Sequence, residues 1–490
     1  MSGHDFLAFD LGAESGRAIL GRLKDEKIET KELHRFANAP VQVLGHLHWN
    51  VYSLFEEIKK AMRSCLADLA IRPESLAVST WGVDFGLLAS EGTLIGLPFA
   101  YRDKRTSGAM EEFFKRLSQE QVYALTGVQF MSINTLFQLF SMVRDKSPLL
   151  DYASDLLFMP DLFTYFLTGE KTGEFTIAST SQLLDPRRRA WSEELIAALG
   201  LRRGLMQDVL MPGTVIGSLS AEVAEETGLK DTIVVATAGH DTAAAIAAVP
   251  ASGKNWAYIS SGTWSLLGVE LDEPVITKSS LEFNFTNEGG VGGTIRFLKN
   301  ITGLWLIREC RKEWSTRAAL SYGGITQPAG SAPPFQALID PDWPGFLSPA
   351  SMTEAIRQYC LNTGQAPPLS PGQTARSILE SLALKYRHTI GQLERLTGLN
   401  IGKIYVIGGG ARNGLLCQFT ADATGLPVVA GPAEATAMGS IMVQALGLGY
   451  VRSLADIRKV VRHSVELRTY EPSPSKEWHL AYERFQNIIK

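Results

Sequence analysis

The chain has 490 residues, more than the roughly 250–300 at which one hydrophobic core stops growing, so two large domains are expected. Hydrophobic residues make up 45% and charged residues 20%, the balance of a globular rather than a disordered chain. A formal net charge of −4 offers no basic surface for nucleic acid or an anionic membrane, and the four cysteines (Cys65, Cys310, Cys360, Cys417) have neither zinc-ligand spacing nor the density of a disulfide framework.

The first residues, MSGHDFLAFDLG, lack a basic segment followed by a continuous apolar one, so no secretory signal is expected and a reducing cytoplasm is the expected location. Residues 6–23, FLAFDLGAESGRAILGRL, read as two apolar strands around a short acidic turn. Gly12 and Gly16 would let backbone N–H groups approach an anion, which suggests a phosphate cradle. The loop lies between two strands and lacks the Walker pattern, and an ordinary hairpin turn is the competing reading. Residues 52–70 carry apolar positions at helical spacing, with Ser53 as the expected N-cap. LAVSTWGVDFGLL and LIGLPFAYRD read as strands, and 107–168 as a long helical region that Gly169 stops. TIVVATAGHDTAAAIAAV turns from a β-branched run to an alanine-rich one at Gly239-His240-Asp241, a strand feeding a helix.

Residues 257–271, AYISSGTWSLLGVEL, repeat the plan of the opening hairpin about half a chain later, with Gly262 set against Gly12. Two similar halves are one reading; chance similarity of two hairpins is the other. Next, KIYVIGGGARNGLLCQFTADATGLPVVAGPAEATAMGS alternates strand, glycine-rich turn and helix, an α/β pattern whose ligands belong where turns leave strand ends. ATAMGSIMVQALGLGYV is interrupted by polar residues and short for the roughly 20-residue membrane span, so it reads as a buried helix.

Phosphoryl transfer needs a neutralising cradle, a magnesium ion and an acceptor oxygen oriented by a carboxylate. Asp10 is placed to hold magnesium, with a turn-forming role as the competing reading, and donor phosphates would meet Arg17 and the Gly12–Gly16 backbone and, from the other half, the Ser261-Gly262-Thr263 turn. Asp241 suits a carboxylate that orients the acceptor hydroxyl, although taken alone helix capping explains it better. His240 is either a sugar contact or a core histidine. Trp81-Gly82-Val83-Asp84-Phe85 joins an aromatic to an acid in a way that suits a sugar.

DLGAESGR, STWGVDFGLL, YRDKRT, MPDLFTYFLTG, GHDTAAA, SSGTWSLLG, NEGG, LKNITGLWL, VIGGGARN and GPAEATAMG follow one another as in the FGGY family of carbohydrate kinases. The resemblance spans about residues 5–450 and is nearest to the branch acting on L-rhamnulose. It implies an α/β, actin-like ATPase fold of two ribonuclease-H-like domains, taken as 1–246 and 247–490, with ATP and sugar in a central cleft. It also implies transfer of the γ-phosphate of ATP to O1 of the ketose. By position, Asp241 corresponds to the catalytic base, and Ala13, Glu14, Ser15, Gly16 and Arg17 to the first phosphate loop. Gly262 and Thr263, with Gly409, Gly410, Ala411 and Asn413, correspond to nucleotide contacts. Gly82, Asp84, His240, Thr242 and Asn300 are expected as sugar contacts. Glu14 brings a negative charge next to the phosphates, and Arg308 stands where an uncharged nucleotide contact is expected. Kinases of another deoxy-ketose such as L-fuculose, and a non-catalytic ATP or sugar clamp, are the alternatives. A monomer or homodimer is expected.

Overall fold

In the computed structural model, residues 3–315, 322–347, 349–473 and 475–489 are described. His4–Leu11 and Ser15–Lys24 form the antiparallel hairpin that the opening residues predict, with Asp10 directly opposite Arg17. His4–Leu11 also pairs in parallel with Ser75–Thr80. The sheet runs Thr214–Ser218, Ile233–Ala236, Ser75–Thr80, His4–Leu11, Ser15–Lys24, Lys27–Ala37. Its inner strands are buried on both faces, which is why they read as continuous apolar runs rather than alternating ones. The helix Val51–Ala67 buries Leu54, Ile58, Ala61, Met62 and Cys65. Its N-cap is Asn50, whose side chain accepts from the Ser53 amide at 3.2 Å, so Ser53 is a capped residue and not the cap.

A second sheet repeats this order. Ile295–Thr302, Trp264–Leu271, Ala257–Ser261, Ile404–Ile407, Val428–Ala430 and Arg468–Tyr470 lie side by side, with Thr286–Gly289 added as a seventh strand beyond Ile295–Thr302. Ala257–Ser261 pairs antiparallel with Trp264–Leu271 and parallel with Ile404–Ile407, as His4–Leu11 does with its own neighbours. Both sheets end on an antiparallel edge strand. The echo between the two hairpins is therefore carried through whole sheets.

Two expected elements differ. Residues 94–103 form no strand: Pro98 lacks an amide N–H, and only isolated bridges at Leu94 and Phe99 remain. Residues 107–168 are not one helical region but the helices Ala109–Phe113, Gln119–Thr126, Thr135–Arg144, Leu149–Tyr152 and Met159–Thr168, with the strand Asp155–Phe158 among them. Gly127, at φ 62°, closes Gln119–Thr126 as a left-handed C-cap. Gly169, at φ 82°, ends Met159–Thr168 as expected.

The chain packs as two compact units. One comprises residues 1–252, 270–297 and 435–464; the other comprises 253–269, 298–434 and 465–490. The contiguous halves expected from sequence, 1–246 and 247–490, contain no such crossings. The buried helix Ala435–Gly447 belongs to the first unit, where it lies on the helix Asp241–Ala247. Gly439 makes that approach possible, because a Cβ there would stand 1.8 Å from the Ala244 carbonyl oxygen. All four cysteines are free and buried. Among the described residues, no helix is long and apolar enough to cross a membrane.

Candidate active site

The strand Ile233–Ala236 leads through Gly239 and His240 into the helix Asp241–Ala247. This junction is pinned through its backbone. Gly239 donates its N–H to Glu174 Oε2 at 2.9 Å and accepts from the Thr80 amide at 2.8 Å, while the His240 N–H reaches Thr176 Oγ1 at 3.1 Å. Glu174 is buried and also accepts from the Thr176 and Ile177 amides and the Thr176 hydroxyl. Burial pushes its carboxyl above the usual range, and these bonds pull against the shift. Asp161 lies behind it and accepts the Glu174 amide at 3.1 Å. Its own carboxyl is held well up by burial and by the charge of Glu174.

Asp241 is the first helical residue; the N-cap is His240, whose side chain makes no capping bond. The capping explanation for Asp241 therefore falls away. Its Oδ1 accepts from Thr242 Oγ1 at 3.1 Å and lies 3.5 Å from His240 Nε2. No described residue bonds Oδ2, and the side chain keeps 29% of its exposure. This is a carboxylate with one oxygen held and the other available.

Gly82 adjoins this junction, since a Cβ there would lie 3.5 Å from His240 Nε2 and 3.4 Å from Thr180 Oγ1. Trp81–Asp84 is not strand but a tight reversal between two sheets. The Asp84 amide bonds the Gly82 carbonyl at 2.9 Å across Val83, which adopts φ 66°. That conformation is strained for a β-branched residue. Thr180 Oγ1 on the Val83 amide and Thr135 Oγ1 on its carbonyl hold it in place. Asp84 has no exposed surface and turns away from solvent. Its Oδ2 accepts from Trp49 Nε1 at 2.6 Å, Trp81 Nε1 at 2.9 Å and the Tyr101 amide at 3.1 Å, and its Oδ1 from Gln138 Nε2 at 2.9 Å. Burial pushes this carboxyl up to about 6 against the pull of those four donors. Asp84, expected as a sugar contact, instead has both oxygens bonded within the protein and shapes the reversal that presents Gly82.

In the first turn, Arg17 is hydrogen-bonded to the Asp10 carboxylate. Gly12 spends its N–H on the Ser15 carbonyl at 3.0 Å, and Asn38 ties the turn through the Gly12 and Glu14 carbonyls. Neither Gly12 nor Gly16 takes a positive φ. Gly16 is required for packing instead, because a Cβ there would stand 2.2 Å from the Phe36 ring. Ala13 and Ser15 are half-buried and Glu14 is exposed.

The second unit brings its own predicted residues together. Gly262 donates to the Trp264 carbonyl at 2.8 Å, and its turn is wrapped by the LKNITGLWL segment. The Gly303 and Trp305 amides bond the Thr263 carbonyl, and the Leu304 amide bonds that of Gly262. Asn300 lies half-buried on the strand Ile295–Thr302 of that segment. The glycine triplet meets the same turn, with a Cβ on Gly410 falling 2.0 Å from Ser261 Oγ. Gly408 takes φ 77°, ψ −168°, a conformation open essentially to glycine alone, and Gly409 is exposed with nothing near its Cβ position. Ala411 lies in the short turn Gly409–Arg412, and Asn413 caps the helix Gly414–Thr424 through the Leu416 amide at 3.1 Å. Arg308 is stacked over the Trp305 ring at 4.6 Å.

Residues 6–248 match the N-terminal domain of the FGGY family of carbohydrate kinases, and residues 257–448 match its C-terminal domain. The chain belongs to the FGGY family. It is 47% identical over 489 residues to a rhamnulokinase of Bacteroides thetaiotaomicron, covering 99% of each chain. A rhamnulokinase of Oceanobacillus iheyensis is 40% identical over 470 residues, 95% of this chain and 97% of the relative. Among solved structures, gluconate kinase from Lactobacillus acidophilus aligns with a TM-score of 0.80 at 14% identity, over 99% of this chain and 96% of that one. Plasmodium falciparum glycerol kinase with ADP gives 0.78 at 12% identity, over 100% and 98%. These likenesses give the fold, an actin-like α/β architecture in two domains. As an FGGY member the chain is a phosphotransferase that takes phosphate from ATP to a carbohydrate.

Sequence reasoning missed Trp49, Glu174, Glu288 and Arg296, which reach the Asp84 and His240 neighbourhoods from distant parts of the FGGY chain. For Glu174 and Arg296 the available signal was a charged residue inside an apolar run, GEFTIA and TIRFL, while Glu288 lies in the NEGG stretch, where no role was assigned to it.

Proposed function

We infer that the acceptor is L-rhamnulose, converted with ATP to L-rhamnulose 1-phosphate and ADP. The identity to rhamnulokinases over nearly the full chain supports this substrate. The observation that carries the chemistry is the Asp241 carboxylate, with Thr242 and His240 on Oδ1 and Oδ2 bare. In this reading Gly82, His240, Thr242 and Asn300 hold the sugar, and Asp241 Oδ2 receives the proton of its O1 hydroxyl. A loose phosphoryl-transfer transition state asks mainly that the nucleophile be oriented, so a carboxylate suffices. Ala13–Arg17, Gly262, Thr263, Gly409, Gly410, Ala411 and Asn413 contact ATP, chiefly through backbone. The work is done in a reducing cytoplasm.

Magnesium fits the residues present if it arrives on the nucleotide. The described residues contain no group of three metal-ligating side chains, and magnesium commonly needs only one or two carboxylates besides phosphate and water. Asp10 is the carboxylate that would hold it, exchanging its bond to Arg17. The ion would neutralise phosphate charge.

A coupled assay of ADP release across a panel of ketoses tests the substrate: L-rhamnulose should give the highest kcat/KM, ahead of L-fuculose and L-xylulose. A tenfold advantage for another ketose overturns the assignment, and stimulation by none would favour the clamp. Asp241→Asn should lower kcat by about 10²–10⁴, the range for a lost general base, with sugar affinity and Tm nearly unchanged.

A further inference from the structure

His240 is gripped on its far side by two buried charges of the same unit. Arg296 has no exposed surface, and Glu288 and His240 are also buried. Arg296 Nη2 stands 3.1 Å from His240 Nδ1 and 3.1 Å from Glu288 Oε2, while its Nε donates to the Gly289 carbonyl at 2.8 Å. Glu288 Oε2 lies 3.4 Å from Nδ1. On the near side, Nε2 faces Asp241 Oδ1 at 3.5 Å and the Gly82 backbone.

We propose that Arg296, with Glu288 as its counter-charge, holds His240 as the tautomer protonated on Nε2, making the imidazole a hydrogen-bond donor in the sugar site. A guanidinium has only donors, so at hydrogen-bonding distance Nδ1 must accept. A neutral ring that accepts at Nδ1 carries its proton on Nε2. The opposite tautomer would aim an N–H at the guanidinium to gain only the longer approach to Glu288. The charge of Glu288 is kept for Arg296, whose guanidinium pulls that carboxyl below the usual range against the effect of burial. The consequence reaches the reaction. With Nε2 occupied by a proton, the imidazole cannot accept from the acceptor hydroxyl. Asp241 Oδ2 is left as the proton's destination, and Nε2–H is free to donate to Asp241 or to a sugar oxygen. Arg296 and Glu288 touch neither substrate, so they are positioning residues, and the inference rests on the kinase reading only for this last consequence.

The tautomer can be read without turnover. In the full-length protein labelled with ¹⁵N-histidine, long-range ¹H–¹⁵N correlation separates the two neutral tautomers, and loss of one pattern in His240→Gln assigns the ring. The His240 ring should show a protonated Nε2 and a bare Nδ1; a protonated Nδ1 in the wild type overturns the proposal whatever sugar the enzyme prefers. The paired variant Glu288→Gln/Arg296→Met leaves no lone buried charge. In it the Nε2–H pattern should be lost, and kcat should fall by about tenfold, the rate equivalent of one ordinary hydrogen bond, with KM for ATP unchanged. Arg296→Lys, which keeps a donor and the charge, should recover part of both. Retention of the wild-type pattern and kcat in the paired variant would reduce Arg296 to packing and sink the idea. If the paired variant fails to fold, the wild-type spectrum still decides.

Discussion

Replacing Asp84 by Asn sets two effects of known sign against each other. The carboxylate accepts four N–H groups, three on Oδ2 and one, from Gln138, on Oδ1. An amide oxygen in the Oδ2 position keeps three of these bonds but turns an NH₂ group on Gln138 Nε2. Gln138 cannot turn round in response, because its Oε1 holds Arg105 Nη2 at 2.5 Å and its Nε2 also serves the Ile133 carbonyl. The loss is one hydrogen bond, about 0.5–1.5 kcal/mol, and a protonated Asp84 with its O–H on the Oδ1 side forgoes the same bond. Against it, Asn removes a buried charge. Burial raises the Asp84 carboxyl from 3.8 to about 6, which corresponds to roughly 3 kcal/mol against the ionised form in the folded protein. The folded value lies above the unfolded one, so the contribution of this group is fully present below pH 3.8 and is lost as pH rises through about 6. Asp84→Asn should therefore be within about 1 kcal/mol of wild type at pH 4, where the folded carboxyl is protonated, and more stable than wild type by roughly 2–3 kcal/mol at pH 7.5, where the wild type must bury the charge. Paired thermal melts at the two pH values measure the gap. The same difference at both would refute the buried charge as the controlling quantity.

Gly439→Ala places a Cβ 1.8 Å from the Ala244 carbonyl oxygen, so the helix carrying Asp241 must shift; Tm should fall by several degrees and kcat with it, and an unchanged kcat would mean that the Asp241 helix is not located by this contact. Gly410→Ala puts a Cβ 2.0 Å from Ser261 Oγ, and KM for ATP should rise at least several-fold while sugar binding, followed by calorimetry, stays the same. Asp10→Asn retains an oxygen for Arg17 but gives up the charge, so the magnesium concentration for half-maximal rate should rise about tenfold; an unchanged magnesium dependence removes Asp10 from the site.

What the sequence made legible follows from local rules. The hairpins at Gly12 and Gly262, the strand-to-helix change at Asp241 and the alternation from Ile404 to Gly447 all show as apolar runs cut by glycine, and they fold so. The misread stretches are those where a local rule is overridden by a distant partner. LIGLPFAYRD has strand-like composition, yet its carbonyl at Pro98 and amide at Ala100 are used by Trp49 and Leu47 in a loop. Gly16, read as an approach to phosphate, also packs against the Phe36 ring, a contact that no reading of DLGAESGR alone contains. Glu174, Glu288 and Arg296 escaped for the same reason. A lone charged residue has no periodicity, and the contacts that tie Arg296 to His240 and Glu174 to Gly239 span 56 and 65 positions.

The same accounting explains why one acid among several is fit to take a proton. Asp84 has both oxygens occupied by donors, and Glu174 receives four bonds that fix the Gly239–His240 backbone and its own helix. Asp161 has a bare Oδ2, but that residue is only 3% exposed and no sugar can meet it. Glu288 has a guanidinium beside its free oxygen. Asp241 alone of these combines an unbonded oxygen with an exposed face, and it sits where Gly82 leaves room above His240. A buried acid satisfied by several donors becomes part of the frame, because withdrawing it would strand those donors at about 1–3 kcal/mol each. An acid with one oxygen tethered and the other open has a fixed direction and a vacant acceptor. Orientation of the nucleophile is what a loose phosphoryl transfer requires, so the frame built by Asp84, Glu174 and Arg296 and the single open carboxylate are two halves of one arrangement.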